Sequence, residues 1–309
     1  MEVLESKTEF SGADRSIFSS EQWAGIFKDS IHTLYIGEPH RAKAVLNLFV
    51  YKKLGKNVVI NSPFGPHCGL TIHLETERVH TRNSDVKRVM RALADYITTK
   101  YPNAYVDLAF PPAIKDVMPF LDKGFSTALA YTYQLDLSIS EKQMLTNLST
   151  QRRKNIRDAS KNNLRFELSN NKLEVLEMAL DTIRQSGVNY DLEPLIRAVK
   201  LDCSYTAAVY SGDTLVSAAI MIHDPNTVYY IAGGNIKDTS FEGAGTMVVW
   251  ECILEAKRRG VSTFDFCGSS MPSIEKFFRG FGGELVPYFR VRANNTLFDF
   301  LKKSKNKLT

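Results

Sequence analysis

Ser262-Thr-Phe-Asp-Phe-Cys-Gly-Ser-Ser270 decides how this chain is read. It is a short apolar strand with one acid at its centre, and it ends in a small, polar turn. Pro272-Ser-Ile274 and a helical stretch follow, then Gly282-Gly283 and a second strand, Val286-Pro-Tyr-Phe-Arg-Val-Arg292. Half a chain earlier the same order occurs. Ala104-Tyr-Val-Asp-Leu-Ala-Phe110 leads to Pro112-Ala-Ile114, a helical stretch, Gly124-Phe125 and Ala130-Tyr-Thr-Tyr-Gln-Leu-Asp136. Asp107 and Asp265 hold matching places. The pattern predicts a tandem duplication; the alternative is chance likeness of two β-loop-α-β units.

Each copy is preceded by a helix. Val86, Val89, Met90, Leu93, Ala94 and Ile97 recur at the spacing of one helical face. Asn83 or Ser84 is placed to cap its start, and Pro102 lies past its end. In the second half Gly245 to Arg259 reads as the equivalent helix, with Lys257, Arg258 and Arg259 at its negative pole and Gly260 as its stop. Strands are expected at Ala44–Tyr51 and Val58–Asn61 around a turn at 52–56, and at Thr206–Tyr210 and Leu215–Ile222 around Ser211-Gly-Asp213. A further strand, Val228–Ala232, ends at Gly233-Gly234. A helix starts at Glu141, so the domain boundary is expected at 136–150, giving domains 1–140 and 141–309. The fold class is α/β (α+β), each domain a mixed, mostly antiparallel sheet flanked by helices.

Composition sets the outer limits. The 309 residues are 44% hydrophobic and 24% charged, an ordinary globular mix with room for a sizeable core. No apolar run approaches the roughly 18 residues of a membrane span. The start, MEVLESKTEF, lacks the pattern of a secretory signal. Net charge is +5, but the tail LKKSKNKLT holds four lysines and no acid, and reads as a frayed end. The body is nearly neutral, which gives no argument for DNA. Cys68, Cys203, Cys252 and Cys267 form no C-x-x-C pair, so no zinc or redox motif is present. Reduced thiols in a cytoplasmic protein, without metal, are the expectation.

Three stretches carry chemistry. Gly243-Ala-Gly245-Thr246 opens the second-half helix, where free amides and a positive dipole end suit a phosphate. The structural alternative is a glycine-bearing loop without ligand. Gln151-Arg-Arg-Lys-Asn-Ile-Arg-Asp-Ala-Ser-Lys161 is the densest basic stretch. On a helix, Arg153, Lys154 and Arg157 either grip phosphate or form a solvated face. Asp265, Ser269 and Glu275 are the polar candidates for catalysis at the strand end, although Asp265 equally fits a buried acid that fixes the strand. No Ser–His–Asp, HExxH or paired-carboxylate signature occurs.

Arg152-Arg-Lys-Asn-Ile-Arg-Asp-Ala159, Phe264-Asp-Phe-Cys-Gly268 and Phe277-Phe-Arg-Gly-Phe-Gly-Gly283, in that order, resemble the FemAB-like branch of the GNAT N-acyltransferase superfamily. The likeness covers most of residues 10–295. It implies two GNAT-like units and transfer of an acyl or aminoacyl group to an amine, such as a cell-wall precursor or another small molecule. The donor is acyl-CoA, with no tightly bound cofactor, or aminoacyl-tRNA. The tRNA-dependent members carry Phe-Lys-x-x-Phe-Gly, whose lysine position is Phe278 here, so tRNA is disfavoured. The leading residue of the GNAT pyrophosphate motif falls at Ser240, which departs from the usual Gln or Arg. On this reading Gly243, Gly245 and Thr246 receive the donor phosphate. Phe64, His67, Tyr230 and Phe278 line the acceptor cleft. The alternative is a GNAT-like scaffold that has lost catalysis.

Overall fold

The structure is a computed structural model that describes residues 1–5, 10, 15–38, 41–185, 187, 191–268 and 271–294. Ser269 and the lysine-rich tail lie outside the described residues. In chain order the elements are β1 (Glu2–Leu4), α1 (Glu21–Gly25), β2 (Ile31–Glu38), β3 (Arg41–Lys53), β4 (Lys56–Ile60), β5 (Thr71–Ile72), α2 (Val79–Lys100), β6 (Tyr105–Ala109), α3 (Met118–Leu121) and β7 (Ser126–Asp136). There follow α4 (Glu141–Asn147), α5 (Thr150–Lys161), β8 (Leu164–Leu168), α6 (Lys172–Gln185), α7 (Glu193–Ala198), β9 (Ser204–Ser211), β10 (Thr214–His223), β11 (Thr227–Asn235), α8 (Ala244–Arg258), β12 (Thr263–Asp265), α9 (Pro272–Arg279) and β13 (Glu284–Ala293).

Two compact units emerge: Met1–Ala130 with the returning end from Pro287, and Tyr131–Val286. In the first unit the strand order is β1-β2-β3-β4-β6, and β13 closes the far side of β6. β4 and β6 are parallel, with Ile60 beside Asp107, while Arg292 of antiparallel β13 faces Asp107. Asp107 accepts from Arg290 Nε at 3.0 Å, so its carboxylate pins the two strands together. The apolar face of α2 (Val89, Met90, Leu93, Ala94 and Ile97) is buried against Leu34, Leu46 and Leu108 of the sheet. The helix starts at Val79, so Asn83 and Ser84 are not its caps. Ser84 Oγ instead donates back to the His80 carbonyl at 2.9 Å. The first turn is solvated, with Val79 69% exposed, and so carries no apolar periodicity to mark it.

In the second unit the order is β7-β12-β11-β10-β9-β8. β11 and β12 are parallel, with Tyr229 beside Asp265, and Gln134 of antiparallel β7 faces Asp265. Helix α8 buries Val248, Val249, Cys252 and Ile253 in the core of this unit. β11 does not stop at Gly233-Gly234 but runs to Asn235. A Cβ at Gly234 would lie 2.6 Å from the Met178 carbonyl oxygen, so glycine there lets α6 approach the strand.

The repeat is thus real at the level of pairing. Each acid-bearing strand has a parallel neighbour on one side and an antiparallel strand on the other. The antiparallel partner comes from the other copy: β13 closes on β6, and β7 on β12. Hence the second unit begins at Tyr131, inside β7, and the chain end from Pro287 returns to the first, a different partition from 1–140 and 141–309.

Candidate functional site

The second unit contains a gap between parallel strands. β11 and β12 share a ladder only from Thr227/Thr263 to Tyr229/Asp265. β11 then continues to Asn235, while the chain after Asp265 turns away through two left-handed residues, Cys267 (φ 59°) and Gly268 (φ 75°). Past Tyr229 no described residue pairs with the β12-facing edge of β11. On β11 itself the register against β10 slips between Ile220 and Met221, and Ile231 is the extra residue. Such a bulge bends a strand and re-aims its side chains. Tyr230, Phe266 and Phe278 pack beneath the opening. The rings of Phe266 and Phe278 stack at 4.6 Å, and Tyr230 meets Phe278 edge-on at 5.6 Å.

Asp265 is buried and fully engaged. Its Oδ1 accepts from the Thr132 hydroxyl and the Cys267 amide, both at 2.6 Å, and Oδ2 accepts from Gln134 Nε2 at 2.7 Å. The Thr132 oxygen in turn accepts from the Gly268 amide at 2.9 Å. Burial raises the Asp265 pKa, against the opposing pull of these three donors. The geometry is that of an acid that builds the turn ending β12. Glu275 is different: it is partly exposed on α9, accepting from the Tyr133 hydroxyl at 2.6 Å and pairing with Arg279 at 3.0 Å. Burial, then the Glu275 hydrogen bond, raise the Tyr133 pKa. The Tyr133 carbonyl accepts from the Phe266 amide, which sets this pair beside the gap.

Helix α8 begins just beyond β11, and a Cβ at Gly245 would lie 3.8 Å from the Asn235 side chain. No described acceptor takes the amides of Ala244, Gly245 or Thr246, as at any helix start. Gly243 has φ 96°, and a Cβ there would overlap the Asn155 carbonyl oxygen, so glycine permits α5 to cross closely. Thr246 is buried, and its hydroxyl accepts from Arg152 NH1 at 2.8 Å and Asn155 Nδ2 at 3.1 Å. Thus Gly243 and Thr246 face α5, and the open amides are backbone groups.

The basic helix divides its arginines. Arg153 NH1 donates to the carbonyls of Thr146 (3.0 Å) and Leu148, capping the end of α4. Lys154 pairs with Asp158 at 3.4 Å and Glu242 at 3.9 Å. Arg157 is exposed. The guanidinium that reaches the start of α8 belongs to Arg152, which lies 4.3 Å over the Phe277 ring. The sequence held a signal for it: Arg152, Ile156 and Ala159 fall at i, i+4 and i+7, the inward row of α5, whereas Arg153 and Arg157 share another row. No local pattern marks Tyr133 or Asn155, whose partners Glu275 and Thr246 are distant in the chain.

In the first unit β4 stops at Ile60, which leaves a gap between β3 and β6, and the unit's own chain fills it. The connection from β4 to α2, residues 61–78, folds back between the strands. The Cys68 amide donates to Ala109 O of β6, and the Cys68 carbonyl accepts from Asn47 N of β3, both at 3.0 Å. Asn61 Oδ1 accepts from Ala109 N at 3.2 Å, and β5 pairs with Ala44 and Val45. Here Phe64 takes φ 62° and His67 is buried. His67 Nδ1 accepts from Gly69 N at 3.1 Å, its ring meets Phe18 edge-on at 5.3 Å, and burial pulls its pKa down to about 3. His67 is a neutral core histidine in this loop. Among the described residues no three His, Cys, Asp or Glu side chains converge to hold a metal. No described helix is long and apolar enough to cross a membrane.

Comparison with known proteins agrees with this geometry. Residues 197–279 match the family model of the GNAT acetyltransferase domain. No curated protein matches by sequence. Among solved structures, FemX aligns at 13% identity over 94% of this chain and 95% of its own, with a TM-score of 0.68. A conserved protein of unknown function from Bacteroides thetaiotaomicron aligns at 10% identity over 94% of each chain, TM-score 0.59. L-PGS from Bacillus licheniformis aligns at 11% identity over 92% of this chain and 94% of its own, TM-score 0.52. At such identities the likeness is one of fold. Residues 197–279 match the GNAT domain by sequence, and the chain as a whole shares its fold with FemX.

Proposed function

We propose that this protein is a cytoplasmic N-acyltransferase whose second unit binds acyl-CoA and whose acceptor is an amine. The observation that carries this is the contrast between the two gaps: the first is closed by Cys68, while the second is open along β11 and leads to the free amides of α8. The pantetheine arm of coenzyme A carries amide groups, which suit an unpaired strand edge. Its pyrophosphate suits the amides of Ala244, Gly245 and Thr246, with the Arg152 guanidinium as a charged partner. In the reaction the amine nitrogen attacks the thioester carbonyl. The C–N bond forms, the C–S bond breaks, and the thiolate leaves with the proton shed by the amine. We assign proton handling to the Tyr133–Glu275 pair beside the gap. A cell-wall precursor is one amine acceptor that fits the FemX likeness.

Calorimetric titration with acetyl-CoA tests this. Binding that weakens at least about tenfold in Arg152→Ala, with unchanged binding in the exposed control Arg157→Ala, supports the assignment. Absence of binding by the wild type to any acyl-CoA refutes the donor. A second reading, a scaffold without catalysis, is favoured by Asp265 and Phe278, both consumed by packing. Turnover against an amine panel that is lost in Glu275→Gln rejects it.

A further inference from the structure

We propose that the hairpin joining β3 and β4 docks the protein on an anionic phospholipid surface. This does not rest on the acyltransferase reading. β2 joins β3 only as far as Ile31/Phe49, and β6 joins β4 only from Tyr105/Val58. Residues 50–57 therefore project past both neighbouring strands. The tip breaks two local rules. Leu54 and Gly55 form its two-residue turn with φ 51° and 74°, a geometry that favours Asn-Gly, yet the first residue is leucine. That leucine is 72% exposed. Behind it Lys53 stands directly opposite Lys56, a like-charge pair that weakens a hairpin in water. Lys52 lies beside them, and all three are exposed. No acid occurs in the sequence anywhere between Glu38 and Glu75. The turn before β2, which packs on β3, carries one acid, Asp29.

A strained, solvated leucine ringed by lysines gains from one environment: an apolar layer beneath negative headgroups. Lysine stems reach along that boundary while their ammonium groups stay with the headgroups. The hairpin is braced for such a contact, since the rings of Phe27, Phe49 and Tyr51 follow in series, edge-on at 5.5 Å and then tilted at 5.6 Å, from the core toward the tip. Single-stranded RNA fits less well, because it calls for an open aromatic face, and the Tyr51 ring is already packed on Phe49.

The test is co-sedimentation of the full chain with vesicles of phosphatidylcholine, alone or mixed with phosphatidylglycerol. Wild type should sediment with the mixed vesicles only. Each lysine is worth about fivefold in partitioning, so reversing Lys52, Lys53 and Lys56 to Glu together should abolish it. Leu54→Asn supplies the residue the turn prefers. It should hold or raise the melting temperature while cutting binding severalfold; a merely structural leucine would do the reverse. Equal sedimentation with both vesicle types overturns the proposal, as does unchanged binding in the triple variant or in Leu54→Asn. Hairpin-dependent retention on single-stranded RNA without vesicle binding replaces it with a nucleic-acid contact.

Discussion

Replacing Asp265 by Ala or by Asn separates what this acid's hydrogen bonds do from what its charge does. In Asp265→Ala three donors lose their acceptor. The Cys267 amide is backbone and cannot turn away, so leaving it buried and unpaired costs about 1–3 kcal/mol. The Thr132 hydroxyl, only 3% exposed, adds about 1 kcal/mol. Gln134 is half-buried and can turn to water at little cost. The total is about 2–4 kcal/mol. Asp265→Asn is a different matter, because Thr132 and Cys267 both use Oδ1, which Asn retains. The new Nδ2 replaces Oδ2, and Gln134 needs only an amide flip to accept from it. That variant should stay within about 1 kcal/mol of wild type at neutral pH. The pH dependence has a definite sign. Burial raises the Asp265 pKa, so the folded state holds its proton more tightly than the unfolded state. Wild-type stability from this group falls as pH rises from about 4 toward the raised value, then levels. Asp265→Asn should therefore gain on wild type across that window. Urea unfolding at a series of pH values measures all three. An Asn variant as unstable as Ala would refute the argument, because the charge would then hold the turn.

Three further outcomes follow from the packing. Gly243→Ala forces φ 96° on an L-residue and drives a methyl into Asn155 O, and should cost about 2–4 kcal/mol by thermal unfolding; a neutral result would mean α5 does not cross there. Phe278→Lys restores the lysine of the tRNA-dependent pattern but removes a ring stacked on Phe266, and should lose at least about 3 kcal/mol; a stable variant would place this position at an open surface. His67, with its pKa pulled to about 3, should show no imidazole titration by NMR between about pH 8 and 5. Because its folded pKa is depressed, the stability it contributes is present above about pH 6.5 and declines as pH falls, a loss that His67→Gln should reduce.

What was legible in the sequence was what depends on local pattern. The two acid-bearing strands, the α2 face and the glycine at the start of α8 were all written in periodicity or turn chemistry. What was not legible depends on a partner distant in the chain. Local pattern leaves catalysis and structure both open for Asp265, because its donors Thr132 and Gln134 come from β7, which sequence order assigns to the other copy. Arg152 and Arg153 are neighbours of equal charge; only the position of α8 decides that one reaches Thr246 and the other the end of α4. His67 sits in a loop rich in Pro and Gly, which suggests a surface, yet Phe18 and Gly69 bury it.

The unequal connections of the two copies explain where chemistry can reside. Each unit has an opening in its sheet, between β3 and β6 in the first, where β4 stops at Ile60, and between β11 and β12 in the second, where parallel strands diverge. The backbone groups along each opening must then be paired by something else. In the first copy, residues 61–78 are long enough to return, and Cys68 bonds β3 on one side and β6 on the other. In the second copy the connection is only residues 236–243, too short to return between the strands and still reach the start of α8. Among the described residues its edge has no partner, and on the acyl-CoA proposal the amides of the pantetheine arm supply one. Grafting the short connection onto the first copy would expose Ala109 and Asn47 to water and unseat the buried Cys68, so it should destabilise that unit rather than create a second site.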